Sequence, residues 1–220
     1  MKTKYVREMK MIASQLGNPT GKRGLEMADQ MHESNISMTK NAISLLKATD
    51  TDRVLELGHG NAAHLPFLME QAEGIHYTGL EISETMRNVA ELNTGNSFHS
   101  RTQFEIYDGL IIPKEAGCFG KIFTVNTIYF WTDPAQLASE LYRVLAPNGR
   151  LVIAFAPRSF MQELPFAEFG FRLYEKTDVV DLMEAAGFSL ENTEDYFDQV
   201  KTKAGEDVKR PFSVISFCKK

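Results

Sequence analysis

Residues 53–63 decide the predicted fold, and they read Arg-Val-Leu-Glu-Leu-Gly-His-Gly-Asn-Ala-Ala. Val54, Leu55 and Leu57 form a short apolar run that is typical of a buried strand, and two glycines follow at once. A turn built on glycine has no side chains in the way, so its backbone N–H groups can approach a ligand closely. The stretch therefore predicts a strand, a tight ligand-binding turn and a helix that begins near Ala62.

From residue 51 onward, predicted strands alternate with predicted helices. After residues 53–57, the predicted strands are residues 75–80, 102–106, 121–126, 150–156, 189–196 and 213–217. Helix starts are predicted at Ser83, at Asp133 with Pro134 behind it, and at Thr177. This alternation implies right-handed crossovers and a mainly parallel sheet with helices on both faces, which is the doubly wound α/β class.

Residues 1–50 are predicted to be a helical extension in front of the main domain, residues 51–220. Apolar residues recur there at spacings of three and four, and the glycine- and proline-containing residues 17–21 break the pattern into two helices. Two interpretations stay open: a flap that packs on the core, or a lid over a binding site.

Composition narrows the function classes. The chain has 220 residues and a net charge of −5, which argues against a dedicated nucleic-acid-binding protein. Cys118, Cys218 and the five histidines lack the spacing of a metal or redox site, so no metal is expected. Because no apolar run reaches the length of a membrane span and no secretion signal is visible, we expect a cytoplasmic protein with no membrane partner.

Glycines and polar groups follow four successive predicted strands. Ligands of a doubly wound sheet bind beyond the carboxyl ends of its strands, so these positions are candidate site residues. They are Gly58 and Gly60, then Glu81, then Asp108 and Gly109, and finally Asn126. Each acid alone could equally be solvated or cap a helix, but four such junctions in a row predict one shared crevice.

Two cofactor classes compete for this crevice. Gly58, Gly60 and Ala63 fit a loose dinucleotide fingerprint, and Glu81 could hold the ribose of a nicotinamide cofactor. Glu56 favours a cofactor that carries an ammonium group and no pyrophosphate. A carboxylate at the crevice floor can accept from an ammonium group, whereas it would be unfavourable beside a pyrophosphate. The ligand indicated is a nucleoside that carries an amino acid, as in S-adenosylmethionine. A nicotinamide-dependent oxidoreductase and a non-catalytic cofactor-binding protein remain the alternatives.

Residues 50–220 resemble the class I S-adenosylmethionine-dependent methyltransferases of the small bacterial type. The motifs that carry the resemblance are ELGHG at 56–60, YTGLEIS at 77–83, FEIYDG at 104–109, LYRVLAPNGRL at 141–151 and LMEAAGF at 182–188. The resemblance implies a Rossmann-like sheet of seven strands, with the last strand inserted antiparallel.

The same resemblance implies roles for single residues. The cofactor would be bound by Glu56, Gly58, Gly60, Glu81, Ile82, Asp108, Gly109 and Asn126. Glu56 would serve the methionine end, and Asn126 would contribute beside it. Glu81 would serve the ribose, and Ile82 and Asp108 the adenine. Ala62 stands where the family usually has a third glycine. Alanine is expected to fit there because a helix start has negative φ, although some crowding and weaker binding are expected. His59, between the two glycines, is expected to point to solvent.

The methyl acceptor is predicted to be a small molecule. Its pocket is expected to be formed by Tyr129, Trp131, the N-terminal helices and the aromatic residues 157–174. Methyl transfer is an in-line displacement, so a base is needed only if the nucleophile arrives protonated. The candidate bases are His32, His64, Tyr129 and Asp133, and none of them is assigned as a catalytic residue.

Overall fold

The computed structural model describes residues 2–95, 98–201 and 207–220. Its helices are α1 (Lys2–Gly17), α2 (Gly21–Leu46), α3 (Leu65–Met69), α4 (Glu84–Thr94), α5 (Pro134–Val144), α6 (Arg158–Met161) and α7 (Lys176–Ala185). Its strands are β1 (Arg53–Leu57), β2 (His76–Glu81), β3 (Thr102–Ile106), β4 (Phe119–Val125), β5 (Leu145–Phe155), β6 (Ser189–Lys201) and β7 (Asp207–Cys218).

The strands form one seven-stranded sheet in the order β3-β2-β1-β4-β5-β7-β6. The pairs from β3 to β5 are parallel, whereas β7 runs antiparallel to both β5 and β6. The predicted doubly wound, mainly parallel sheet is therefore confirmed. The strand order reverses between β1 and β4, and this switch point is where such sheets bind ligands.

Each face of the sheet carries its own apolar core, because successive side chains of a strand point to opposite faces. Leu55 and Leu57 pack with residues of α5 and α7 on one face. Val54 packs with residues of α2 and α3 on the other. Glu56 shares the face of Val54 by the same alternation, so a carboxylate lies beneath α2 at the carboxyl end of β1.

Helix α2 spans 26 residues and has two functions along its length. Its C-terminal half is core, because Met38, Ala42, Ile43 and Leu46 are fully buried. Its residues 28–39 pass over the carboxyl ends of the strands and contribute to the lining of a cavity there. One continuous helix thus belongs both to the core and to the site, and the division of the chain near residue 50 stays a prediction.

Local boundaries differ from the sequence predictions most clearly at α3, α7, β5, β6 and β7. Helix α3 begins at Leu65 and not near Ala62, because residues 60 and 62 have positive φ values that no right-handed helix can use. Helix α7 begins before Thr177, where the N–H of Glu175 donates to Asp178 Oδ2 at 2.8 Å. Strands β5, β6 and β7 are longer than predicted, and β5 begins at Leu145 and not at residue 150. The loop predicted at residues 201–210 is partly strand, and its residues 202–206 lie outside the described residues.

Crossing a lipid bilayer requires a helix that is both long and apolar. None of the helices in the described part of the chain has both properties.

Candidate functional site

A cavity of about 480 Å³ lies at the carboxyl ends of β1 to β4, covered by residues 28–39 of α2 and by the turn that precedes α2. Nine of the ten predicted site residues lie in its wall: Glu56, Gly58, Gly60, Glu81, Ile82, Asp108, Gly109, Asn126 and Trp131. They come together because parallel strands all end at the same edge of the sheet.

The glycine turn after β1 needs glycine at two positions. Gly58 has φ +71° and Gly60 has φ +56°, both in the left-handed region that side chains disfavour. A Cβ atom on Gly58 would lie 2.4 Å from Thr127 Cγ2, far inside a normal contact. No atom lies within 4 Å of a Cβ built on Gly60. Gly58 is therefore required by space and by conformation, and Gly60 by conformation alone.

The prediction of a negative φ at Ala62, the third glycine position, is wrong. Its φ is +51°, so the alanine occupies a left-handed conformation and not the negative φ of a helix start. Its side chain is buried, at 2% exposure. The turn continues through this residue, since Ala62 N donates to His59 O and Leu65 N donates to Ala62 O. Alanine in this conformation is strained by about 1–2 kcal/mol relative to an ordinary backbone.

His59 is buried, at 3% exposure, and the expectation that it points to solvent is wrong. Its ring packs edge-on against Phe104 with centroids 4.9 Å apart. The ring also covers Gly79, where any Cβ would lie 2.6 Å from His59 Cδ2. Burial lowers the pKa of His59 to about 4, so the ring is neutral near pH 7. Nδ1 lies 2.8 Å from Gly60 O and therefore carries the proton, while Nε2 has no partner among the described residues.

Glu56 forms a buried polar cluster in the cavity floor. It is 2% exposed, and its Oε2 accepts from Tyr77 Oη at 2.5 Å and lies 2.8 Å from His64 Nε2. Burial and the neighbouring Glu56 raise the pKa of Tyr77, which keeps the phenol protonated and donating. Oε1 makes no hydrogen bond to any described residue. The cluster therefore fixes one oxygen of Glu56 and leaves the other for a donor in the cavity.

Glu81 ties the ends of β1 and β2 together. Oε1 accepts from the backbone N–H of Ile82 at 2.8 Å and of Ser83 at 3.2 Å, and Oε2 accepts from Gly60 N at 3.2 Å. Burial raises the pKa of Glu81, while these three N–H groups act against that rise. A carboxylate oxygen can accept two hydrogen bonds, so Oε2 has room for one more donor.

Asp108 and its neighbours form the far wall of the cavity. Asp108 Oδ1 accepts from Leu110 N and Ile111 N, both at 2.8 Å, and these bonds lower the pKa of the exposed carboxyl group. Gly109 follows with φ +80°. Ile82 is 37% exposed, which places an apolar surface beside the carboxylate in the wall.

Tyr129 is the predicted site residue that the structure does not place in the cavity wall. Its hydroxyl donates to Ala156 O at 2.8 Å and accepts from Ala156 N at 2.7 Å, so the side chain is buried in the core. Trp131 does reach the wall, and its indole N–H donates to Thr127 Oγ1 at 3.1 Å. Phe160, Phe166, Phe171 and Tyr174 belong to this core or pack against it, and no aromatic side chain of residues 157–174 lines the described cavity.

Three of the four candidate bases are already hydrogen-bonded to other groups of the protein. His64 contacts Glu56, Tyr129 contacts the backbone, and Asp133 Oδ1 accepts from Gln136 N at 3.0 Å as the cap of α5. His32 on α2 faces the cavity without such an engagement among the described residues. Burial is the largest influence on its pKa, which is lowered, and the ring is therefore a neutral acceptor near pH 7.

Polar residues of α2 are the part of the site that the sequence interpretation missed. His32, Asn35 and Thr39 all line the cavity and recur at spacings of three and four. That polar stripe on an otherwise apolar helix face was the available signal. Ser83 Oγ donates to Pro19 O and so fastens the turn before α2 to the start of α4. Among the described residues, no group of three or more His, Cys, Asp or Glu side chains is arranged to hold a metal.

Known proteins resemble this chain in sequence. Residues 55–153 match the family model described as a methyltransferase domain. The chain resembles the class I methyltransferases. An uncharacterised methyltransferase of Bacillus subtilis, YdaC, is 26% identical over 128 residues, which cover 58% of this chain and 69% of YdaC. A malonyl-[acyl-carrier protein] O-methyltransferase from Marinomonas is 28% identical over 149 residues, 66% of this chain and 54% of that enzyme. The chain thus spans only about half of the second methyltransferase.

Solved methyltransferase structures share the fold. A methyltransferase from Aquifex aeolicus superposes with a TM-score of 0.67 at 19% identity, covering 88% of this chain and 95% of that one. One from Mesorhizobium loti gives 0.66 at 14% identity, covering 81% and 96%. Identities this low show the fold alone, and the resemblance drawn from the motifs is confirmed at that level.

Proposed function

We propose that the protein is an S-adenosylmethionine-dependent methyltransferase that acts on a small-molecule acceptor. The observation that carries the proposal is the convergence of Glu56, Glu81, Asp108 and the glycine turn on one cavity at the switch point of the sheet. The match of residues 55–153 to a methyltransferase domain supports it. Trp131 and the polar stripe of α2 are proposed to line the acceptor side.

The donor set fits this cofactor. Glu56 Oε1 is proposed to accept from the ammonium group, because Oε2 is already held by His64 and Tyr77. Glu81 Oε2 retains one acceptor position for a ribose hydroxyl. The free oxygen of Asp108 and the apolar surface of Ile82 are proposed to hold the adenine. When bound, the cofactor supplies a methyl group on a sulfonium centre, and the protein orients the acceptor and excludes water.

The structure gives a physical reason to prefer this cofactor to a nicotinamide dinucleotide. A pyrophosphate is normally bound by the N-terminus of the helix that follows the glycine turn. Here α3 begins only at Leu65, four residues beyond Asn61, and has five residues. The buried carboxylate of Glu56 lies in the same floor and would repel phosphate.

Isothermal titration tests the proposal. S-adenosylmethionine and S-adenosylhomocysteine should bind, and NADH should not. Binding of NADH without binding of the other two ligands would refute the proposal. Glu81→Ala should weaken S-adenosylhomocysteine binding by about 1–3 kcal/mol, because it removes the acceptor of buried donors. Glu81→Gln, which keeps one acceptor oxygen, should lie between this variant and the wild type. Glu184→Ala on the exposed side of α7 is the control and should bind normally.

A protein that binds the cofactor without turnover is the remaining alternative. This alternative predicts the same binding results as the proposed methyltransferase, so only a measurement of activity distinguishes the two. Incubation with methyl-labelled S-adenosylmethionine and a broad acceptor library should transfer label to at least one small molecule. Binding without transfer to any acceptor would favour the non-catalytic alternative.

A further inference from the structure

A buried arginine of β7 contacts the helix that covers the cavity. Arg210 is 8% exposed and pairs with Asp198 of β6 through Nε–Oδ1 at 3.1 Å and Nη2–Oδ2 at 2.7 Å. Nη2 also donates to the backbone oxygen of Ser34 at 2.6 Å, and Nη1 donates to Asn35 Oδ1 at 2.9 Å. Arg210 itself does not line the cavity, but Asn35 does. The β6–β7 hairpin is therefore clamped to the middle of α2.

This clamp determines the orientation of two asparagine amides. An arginine side chain only donates hydrogen bonds, so the atom of Asn35 that faces Arg210 must be Oδ1. The same Oδ1 accepts from Asn126 Nδ2 at 3.1 Å. The NH₂ group of Asn126 is thereby directed at α2, and its Oδ1 is the opposite end of the amide.

The oxygen of Asn126 keeps capacity for a further donor. Tyr129 Oη lies 3.2 Å from it, but the single phenolic hydrogen has a shorter acceptor in Ala156 O at 2.8 Å. The backbone of Asn126 is held as well, since its φ is +57° and its N–H donates to Ala154 O at 2.8 Å. Main chain and amide are thus both fixed at the end of β4, beside the glycine turn.

We propose that Arg210 is a positioning residue: through Asn35 it holds α2 over the cavity and presents Asn126 Oδ1, not Nδ2, to the ligand. The proposal rests on the proposed function, in which Glu56 near the end of β1 accepts from the ammonium group of the cofactor. Strand β4 pairs with β1, so Asn126 follows β4 at the same end of the cavity. An ammonium group there requires an acceptor, and a flipped amide would offer it a second donor. Arg210 therefore acts on the amino-acid end of the ligand and not on its nucleoside end.

The variant that tests this must not leave a buried charge behind. Arg210→Leu alone would strand Asp198, whose side chain is 9% exposed, and the protein could fail to fold. The double variant Arg210→Leu/Asp198→Leu removes both charges and retains apolar volume, which is often neutral for stability. The matched control is Arg150→Leu/Glu191→Leu, an arginine–carboxylate pair (2.7 Å) at the end of the sheet opposite the cavity.

Two ligands separate a positioning function from a general loss of structure. S-adenosylhomocysteine carries the amino-acid end, and 5′-methylthioadenosine lacks it. In the Arg210→Leu/Asp198→Leu variant, affinity for S-adenosylhomocysteine should fall about tenfold, a typical coupling between linked sites. Affinity for 5′-methylthioadenosine, followed by ligand-detected NMR, should stay within about twofold. The control variant should bind both ligands as the wild type does.

Two results would overturn the proposal. One is unchanged affinity of the Arg210→Leu/Asp198→Leu variant for S-adenosylhomocysteine. The other is an equal loss of affinity for both ligands, which would make the clamp merely structural. A wild-type protein that binds neither ligand would instead refute the proposed function itself, and the two failures are therefore distinguishable.

Discussion

Replacing Gly58 with alanine tests whether the turn after β1 is fixed by space as well as by backbone conformation. The new Cβ would lie 2.4 Å from Thr127 Cγ2, where carbon atoms normally approach to about 3.5–4.0 Å. Thr127 cannot simply rotate away, because its hydroxyl accepts from the Trp131 indole at 3.1 Å. The substitution therefore forces a shift in the wall of the cavity.

The magnitude follows from three contributions. A left-handed φ of +71° costs alanine about 1–2 kcal/mol. Lower entropy of the unfolded chain returns about 0.4–1 kcal/mol. Overpacking against Thr127 adds about 1–3 kcal/mol. Together these contributions predict that Gly58→Ala lowers the free energy of unfolding by about 1–5 kcal/mol, with a central value of about 3 kcal/mol. In a chain of this length, each kcal/mol lost lowers the melting temperature by about 2–4 °C.

Urea unfolding of a double-mutant cycle separates the contributions. Thr127→Ser removes Cγ2 and keeps the hydroxyl, so it relieves the overlap and leaves the backbone strain. We expect the Gly58→Ala/Thr127→Ser variant to recover about 1–3 kcal/mol relative to the sum of the two single losses, a coupling typical of residues in contact. Strictly additive losses would refute the assignment of the cost to the Gly58–Thr127 contact.

Two further predictions concern the same turn. Burial lowers the pKa of His59 from 6.5 to about 4. Between these pH values the unfolded chain binds the proton more readily than the folded protein does. The free energy of unfolding should therefore fall by up to about 3 kcal/mol as the pH decreases through this range. Denaturant titrations should show that His59→Phe flattens this loss and that His99→Phe, at an exposed site, does not; an unflattened profile would contradict it. For Ala62→Gly, relief of about 1–2 kcal/mol of strain is opposed by about 0.4–1 kcal/mol of unfolded-chain entropy and about 0.8 kcal/mol of lost methyl burial. Its stability by urea unfolding should therefore stay within about 1 kcal/mol of the wild type, and a loss above about 2 kcal/mol would show that the alanine is unstrained.

Local patterns predicted the parts of the fold that depend on neighbouring residues. The bounds of β1 and β3 follow from short runs of strand-forming residues, and the structure has the same bounds. Asp133 caps α5 as its sequence predicts, because the cap, Pro134 and Gln136 are contiguous. The grouping of the acids into one cavity also followed from the sequence, since parallel topology brings the carboxyl ends of the strands to one edge whatever their side chains are.

The turn itself could not be predicted in detail. Ala62 favours negative φ on its own, and the hydrogen bonds of the turn impose the opposite sign. His59 sits between two glycines and looks exposed in the sequence. Its burial depends on Gly79 and Phe104, which are twenty or more residues away and meet it only through the pairing of β2 with β3. Conformation and burial at these two residues are consequences of tertiary structure.

Contacts between residues that are far apart in the sequence explain why the family match covers only part of the site. Residues 55–153 match the methyltransferase domain, and they contain the glycine turn, Glu81, Asp108 and Asn126. Asn35 precedes that range and Arg210 follows it, yet the two meet at 2.9 Å and together orient Asn126. The matched range therefore contains the proposed cofactor contacts, while α2 covers the cavity and Arg210 of β7 holds α2. Proteins that share the first set of residues can therefore differ in the second.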